Sequence, residues 1–437
     1  MPLNPIPLRE SPQRSELRKA VIASTIGTTI EWYDFFLYSI VTGLVFPKLF
    51  FPQSNPLTGT LQAFSVYLVG FVARPIGAAL FGHFGDRVGR KTTLIVTLGL
   101  MGAATFLVGF VPTYAHAGVW GAVILTALRL IQGIGVGGEW GGSVLLAMEW
   151  TRGRPNRGLV TSWPQMGVPL GLVLANLAVL LSSRMSGEAF GDWGWRLPFF
   201  LSISLIAIGL YIRLGVLETP TFVALAADRK LSPQPVLEVL RKHSREILLS
   251  ALARTSQQAV FYVFSAFIFS YGTTVLGTSR DFLLVALLTA SMISCITNPL
   301  FGFVSDRFGR KRTYQLGIAI TAIFSFIYFA ALDTRAPVAM FVAIAISLVP
   351  HDMMYGPQAA LIAESFEARL RYSGASLGYH IASLFSGGPA PLIATALLAR
   401  YHSGYSVAVY LAACGVVSAI ATHYLVDRTH DRLDATG

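Results

Sequence analysis

The feature that most constrains this chain is a succession of apolar runs, each long enough to cross a hydrocarbon layer. A helix needs about 20 residues to span the roughly 30 Å of a bilayer core. Twelve runs answer to that length: 20–46, 61–82, 92–111, 119–149, 159–181, 197–214, 247–271, 282–304, 313–332, 338–360, 373–398 and 405–426. Each exceeds the ~10 residues of a barrel strand and lacks two-residue alternation, so all twelve read as helices. Only 13% of the residues are charged, far below the roughly 25% of soluble domains, which excludes a water-soluble fold. The first run is too long for a signal-peptide core and has no small-residue cleavage site after it, so it is expected to remain as a helix.

A net charge of +11 raises the question of a polyanionic partner, and the placement of the basic residues answers it. They gather in alternate connectors: Arg9, Arg14, Arg18 and Lys19; Arg87, Arg90 and Lys91; Arg152, Arg154 and Arg157; Arg229, Lys230, Arg241, Lys242 and Arg245; Arg307, Arg310, Lys311 and Arg312; Arg369 and Arg371; Arg428 and Arg432. The intervening connectors hold only Lys48, Arg184, Arg196, Arg280, Arg335 and Arg400. Lys and Arg mark the cytoplasmic side of a membrane protein, so both termini are expected there and no nucleic acid is expected as a partner. Cys295 and Cys414 both fall inside apolar runs. They suggest no disulfide or metal set, and no cofactor is expected.

The longest polar connector, Glu218 to Glu246, carries Pro220, Pro233 and Pro235. It divides the chain into an N-terminal tail (1–19), a six-helix bundle (20–217), a linker (218–246), a second bundle (247–426) and a C-terminal tail (427–437). A repeat supports that division. Gly82-His-Phe-Gly-Asp86-Arg87-Val-Gly89-Arg90-Lys91 returns as Gly302-Phe-Val-Ser-Asp306-Arg307-Phe-Gly309-Arg310-Lys311, each copy after the second helix of its half. Duplicated halves are what a transporter with a pseudo-twofold axis along the membrane normal shows. Within each copy the glycines permit close helix approach, the Asp can face a helix N-terminus, and the Arg can pair with carboxylates at the cytoplasmic rim. Asp86, Arg87, Arg90, Asp306, Arg307 and Arg310 are therefore gating candidates, and Arg74, followed by Pro75, is grouped with them.

These loop copies resemble the G-x-x-x-D-R-x-G-R-K motif of the major facilitator superfamily. More narrowly, Glu31-Trp32-Tyr33-Asp34-Phe35, Ala73-Arg74-Pro75-Ile76-Gly77, Gly137-Gly138-Glu139-Trp140-Gly141-Gly142 and Arg371-Tyr372-Ser373-Gly374-Ala375-Ser376 resemble the metabolite:H⁺ symporter family. The resemblance spans nearly the whole chain. It implies an all-α polytopic protein of twelve transmembrane helices in two pseudo-symmetric six-helix bundles, a monomer in a bacterial inner membrane. The function it implies is proton-coupled uptake, by alternating access, of a small organic anion such as a carboxylate metabolite. The family also contains importers of the osmolytes proline and betaine, which is the alternative. Osmosensing relatives carry a long C-terminal coiled coil, whereas this sequence shows no heptads after run twelve. Gly167-Val168-Pro169-Leu170-Gly171 matches the superfamily's antiporter signature only in part.

A charge at the bilayer centre costs roughly 2.5–3.5 kcal/mol on insertion scales, so the few intramembrane charges are functional candidates. Glu31 and Asp34 lie three apart in run one and share a face. With Glu139 in run four they are the proton-coupling candidates. Gln132 and Glu139 are seven apart on one stripe of run four, with Arg129 beside it. Arg254, Gln258 and Tyr262, spaced four apart, form one polar stripe on run seven, with Gln257 adjacent. In a family with carboxylate substrates, that stripe, Arg129, Gln132 and the pair His351–Asp352 of run ten look like substrate ligands. The alternative for each is a structural interhelical bond. The glycines from Gly133 to Gly142 sit in an apolar run without the flanking elements of a phosphate cradle, so they read as close helix packing. No nucleotide-binding motif is evident, which leaves an ion gradient as the energy source. No enzyme-like constellation of nucleophile and base is evident either.

Overall fold

The computed structural model describes residues 10–151, 156–228 and 231–429. Arg9, Arg152, Arg154, Arg229, Lys230, Arg432 and most of the C-terminal tail lie outside the described residues. Helix one spans Glu10–Leu44, two Pro56–Arg87, three Arg90–Val108, four Val119–Glu149 and six Leu197–Leu214. Helix eight spans Arg280–Phe308, nine Arg310–Asp333 and twelve Gly404–Tyr424.

Four of the expected uninterrupted runs are interrupted. Helix five is Arg157–Gln165 and Gly167–Ser186, with Pro164 and Pro169 flanking the break; helix ten is Pro337–Ile346 and Leu348–Ala363. Helix seven runs through Ser244–Ala253, Thr255–Tyr262, a π-turn at Val263–Phe267, and Ile268–Thr274. Helix eleven is Arg371–Ala382, a π-turn at Ser383–Gly387, and Ala390–Tyr401. The connector 218–246 also holds more structure than a bare linker, with short helices at Pro220–Ala227 and Pro235–Lys242.

Among the described residues, ten helices carry a stretch long and apolar enough to cross a membrane. Helices one and seven do not qualify. Glu31, Asp34 and a run of threonines dilute one, and Arg254, Gln257 and Gln258 dilute seven. The outer surface carries large apolar side chains such as Ile76, Val96, Ile208, Ile296 and Ile323, as a lipid-facing wall requires.

Local signals set the ends. Asn55 accepts a bond from the Thr58 N–H at 2.9 Å and Ser279 one from Phe282 at 3.3 Å, starting helices two and eight. Gly89 and Gly309, with φ of 123° and 96°, make the sharp turns between helices two and three and between eight and nine, a conformation that glycine adopts without strain. Helix two packs on helix four through Gly77, Gly133 and Gly137; a Cβ at any of the three would strike backbone of the facing helix.

Within the first half, helix two packs on four and one on five; within the second, eight packs on ten and nine on twelve. The halves meet most closely where helix two lies against eleven and helix five against eight. These two contacts are counterparts under the internal repeat.

Candidate functional site

A cavity of about 670 Å³ lies between the halves, lined by Phe35, Tyr67, Asn176, Tyr262, Phe269 and Arg280. It opens at the end of the molecule opposite the repeated basic loops. Phe35 and Tyr262 form its base, their rings 6.2 Å apart across the bundles.

Below that base, the first bundle buries a polar chain. Arg129 donates to Gln132 Oε1 at 3.2 Å, Gln132 Nε2 to Thr105 Oγ1 at 2.6 Å, and Thr105 to Asp34 Oδ2 at 2.8 Å. Asp34 Oδ1 and Glu31 Oε2 meet no partner, and neither carboxylate forms an ion pair among the described residues. A void of about 10 Å³, the size of one water, is lined by Glu31, Asp34, Arg74, Arg129 and Gln132. Among the described residues Arg129 forms no ion pair either. Its guanidinium lies 4.3 Å from the Tyr38 ring centre and 4.8 Å from that of Tyr67, so aromatic faces hold its charge.

Two residues depart from their expected company. Arg74, grouped with the gate on sequence, lines this void and lies over the rings of Phe71 (4.6 Å) and Phe35 (5.1 Å). Glu139 does not share a site with Gln132: it pairs with Arg213 of helix six and accepts from Thr97 (3.2 Å) and Ser143 (3.0 Å).

The second bundle carries its own polar cluster. Arg254 donates to Gln358 Oε1 (3.1 Å), to the Tyr379 carbonyl and to Gln257 Oε1 (3.4 Å). Turning the Gln258 amide over makes it a further acceptor for Arg254. All these acceptors are neutral. Gln257 Nε2 meets His351 Nε2 at 2.7 Å, His351 Nδ1 meets Asp352 Oδ1 at 3.0 Å, and Thr297 bonds the other oxygen of Asp352. Tyr262 stands nearer the cavity, edge-on to Phe35 and Phe71.

At the opposite end the halves are closed on one another. Asp86 accepts from the Tyr372 N–H (3.3 Å), the Ser373 N–H (3.0 Å) and the Ser373 hydroxyl (2.9 Å), the first turn of helix eleven. Asp306 accepts from the N–H groups of Gly158 and Leu159, both at 2.8 Å, the first turn of helix five. Arg90 lies 3.3 Å from Asp86 and 3.4 Å from Glu149; Arg310 lies 3.1 Å from Asp306 and 2.7 Å from Glu364. Arg157 reaches across the seam to Glu364 at 2.7 Å. Arg87 and Arg307 take no part: both are exposed, beside His83 and Phe303 respectively.

The connectors finish this end. Glu218 caps helix three through the N–H groups of Arg90 and Lys91, both at 3.1 Å. Burial pushes its carboxyl above the usual range despite those donors. Glu238 of the short helix Pro235–Lys242 pairs with Arg369 at 2.7 Å. Hydrogen bonds from Lys242 and Ser232, with Arg369 alongside, hold its carboxyl at about 2.

Sequence reasoning missed Arg213, Glu149, Glu364 and Thr105. The first three fall at the ends of apolar runs, where a charge looks like a connector residue; the periodic spacing of Arg213 from Gly209 and Ile206, also buried, is the signal that separates it from the loop. Thr105 carries no signal of its own.

The Major Facilitator Superfamily profile matches residues 25–391. The chain is 39% identical over 422 residues to the shikimate transporter of Escherichia coli (strain K12), covering 94% of this chain and 95% of that one. It is 38% identical over 421 residues to the inner membrane metabolite transport protein YhjE of the same organism, covering 95% of each. Among solved structures, the proton:xylose symporter XylE bound to 6-bromo-6-deoxy-D-glucose superposes with a TM-score of 0.79 at 19% identity, over 95% of this chain and 97% of that one.

Proposed function

The chain belongs to the Major Facilitator Superfamily and is a membrane transporter, and on that premise we propose that it imports a small organic anion by proton symport. One observation carries the reading: among the described residues each bundle buries a guanidinium that forms no ion pair, Arg129 at 5% exposure and Arg254 at 1%, while Asp34 and Glu31 are buried without a direct ion pair and share a one-water void with Arg74 and Arg129. Buried charges left unpaired are costly, so a protein that keeps them uses them.

The two bundles, 20–217 and 247–426, move about the linker 218–246. The basic face is cytoplasmic, following the side on which Lys and Arg collect, and the membrane is the bacterial inner membrane. The cavity then faces outward in the conformer described above. A proton arriving through it neutralises Asp34, with Glu31 as its neighbour across the one-water void. An anion from the same cavity is drawn between the guanidinium groups. It replaces the neutral amide acceptors of Arg254 with a carboxylate, so that both partners of the bond are charged. With the charges matched, the bundles close over the cavity and part at the cytoplasmic rim, where Asp86, Arg90, Asp306 and Arg310 hold them. Glu139, paired with Arg213, orients helix four against helix six. His351, Asp352, Gln257, Gln258 and Tyr262 present hydrogen-bonding groups to the anion's hydroxyl or second carboxyl group.

A proton carried with a monoanion moves no net charge, so the pH difference drives the cycle: one pH unit supplies about 1.4 kcal/mol, or roughly tenfold accumulation. A shikimate-like acid, with one carboxylate and several hydroxyls, suits two guanidinium groups amid amides and aromatic rings. Purified protein in vesicles carrying an inward proton gradient should accumulate such an acid from a panel of shikimate, α-ketoglutarate and citrate. A protonophore should abolish that accumulation. Undiminished accumulation without the gradient overturns the symport reading.

A further inference from the structure

Between the binding groups and the rim lies an arrangement that the transport reading uses only at its Arg254 end. The indole of Trp140, on helix four, stacks on the phenol of Tyr379, on helix eleven, with centroids 3.6 Å apart and planes 17° from parallel. The Arg254 guanidinium lies 3.2 Å from the same phenol centre. Two groups that close to one ring centre occupy its opposite faces. The result is a three-layer sandwich, indole, phenol and guanidinium, that crosses from the first bundle to the second. Its ends are fixed: Trp140 Nε1 donates to Gln165 at 2.9 Å, and Arg254 bonds the Tyr379 carbonyl. Gln165 in turn donates to the Tyr355 carbonyl at 3.2 Å, a second tie between helices five and ten. The glycines around Trp140 allow the approach, since a Cβ at Gly141 or Gly142 would strike Ser376 or Tyr372.

We infer that Tyr379 is a positioning residue: it transmits the charge state of Arg254 to the Trp140 contact that keeps the basic face closed. A cation on one face of a phenol polarises the ring, and that attraction is stronger where both groups are buried, as Arg254 and Tyr379 are. While Arg254 is bound only by neutral oxygens, its charge is directed at the phenol, and the sandwich holds the bundles together. An anion on the guanidinium neutralises that charge, the phenol is released, and the indole contact loosens. The closed face thus registers occupancy through a single ring. The final link, that the anion is the transported solute, rests on the function proposed above; the coupling of Arg254 to closure does not.

The test needs no ligand. Full-length protein in lipid nanodiscs, with Cys295→Ser and Cys414→Ser, carries spin labels at Val88→Cys and Phe308→Cys, which are exposed on the two loop copies. Electron–electron distance measurement reads the share of molecules with the basic face parted. Tyr379→Phe, which keeps the ring, should stay within twofold of the parent. Tyr379→Leu should raise the parted share about tenfold, Arg254→Gln about fivefold, and the double variant no more than Tyr379→Leu alone. An unchanged distribution in Tyr379→Leu, additive effects in the double variant, or a Tyr379→Phe that behaves as Leu each overturns the inference. A normal melting temperature for Tyr379→Leu shows that the shift is not unfolding, and a lowered one is answered by the Arg254→Gln variant. If solute affinity survives Arg254→Gln while the distances shift, the substrate role of Arg254 fails and the coupling stands.

Discussion

The two copies of the repeated loop close the same face by different means. In the first, Asp86 and Arg90 are fully buried, three donors from helix eleven converge on Asp86, and Arg90 divides itself among Asp86, Glu149 and the carbonyls of Gly85 and Ala368. In the second, Asp306 takes two short backbone bonds, and Glu364 gathers both Arg310 and Arg157, the latter from across the seam. The counterpart of Arg157 is Arg371, which bonds the Phe366 carbonyl and leaves one guanidinium nitrogen without a partner. Glu149 accepts instead from Thr219 of the connector, at 2.6 Å. One half therefore closes on a shared carboxylate, and the other on a hydrogen-bonded helix end. The duplicated sequence carries the acid and the arginine four residues after it into both halves, but not the partners that complete each contact.

Removing the shared carboxylate should have the largest effect. Glu364→Gln takes away the charge that Arg157 and Arg310 share, leaving Arg310 with Asp306 and Arg157 with the carbonyls of Arg428 and Thr429, a loss of about 3–5 kcal/mol, which favours the parted face by a factor of roughly 100 or more. A reporter cysteine at Ser305, buried on the seam, should then react with an impermeant maleimide at a correspondingly greater rate. Glu149→Gln leaves Arg90 its other three acceptors and should cost about 1–2 kcal/mol with the same reporter. Equal effects from the two variants would erase the contrast. Between them stands Asp86→Asn, which keeps the shape but gives up charge-assisted bonds to the helix eleven terminus, worth about 1.5–3 kcal/mol.

The smallest effect belongs to the connector between the halves. Glu238, held at about 2, lends its tie to Arg369 above the ordinary carboxylate range, near 4.5. That contribution is lost as pH falls through 2, because a depressed carboxyl stabilises only while ionised. Carbon-13 titration of its carboxyl should show the midpoint near 2 and a rise toward 4.5 in Lys242→Gln, larger than in Arg369→Gln.

Much of the fold is legible because apolar length is a strong signal. Runs four and six, 119–149 and 197–214, have the same ends in the sequence as in the structure. The breaks are not legible in the same way. A π-turn such as Val263–Phe267 has the composition of any apolar helix, whereas the step at Ser347 comes three residues before Pro350, as the step at Met166 comes three before Pro169. Charged positions stand out against an apolar background, which is why Asp34, Arg129 and Arg254 are visible in the sequence. Their partners are not, since Thr105, Tyr38 and Tyr67 are ordinary residues of membrane helices until the third dimension sets them beside a charge. Arg74 shows the converse limit: its position along helix two suggested the rim, and its side chain turns toward the void beside Glu31.

Proton movement coupled to solute entry is the most direct measure of the account. In lightly buffered vesicles, adding an acid that the parent protein transports should draw protons inward, read as a rise in external pH. Asp34→Asn should still exchange labelled acid across the membrane, yet produce no pH change. If that variant moves protons as the parent does, the carboxyl beside Thr105 is not the coupling group and the account fails at its centre.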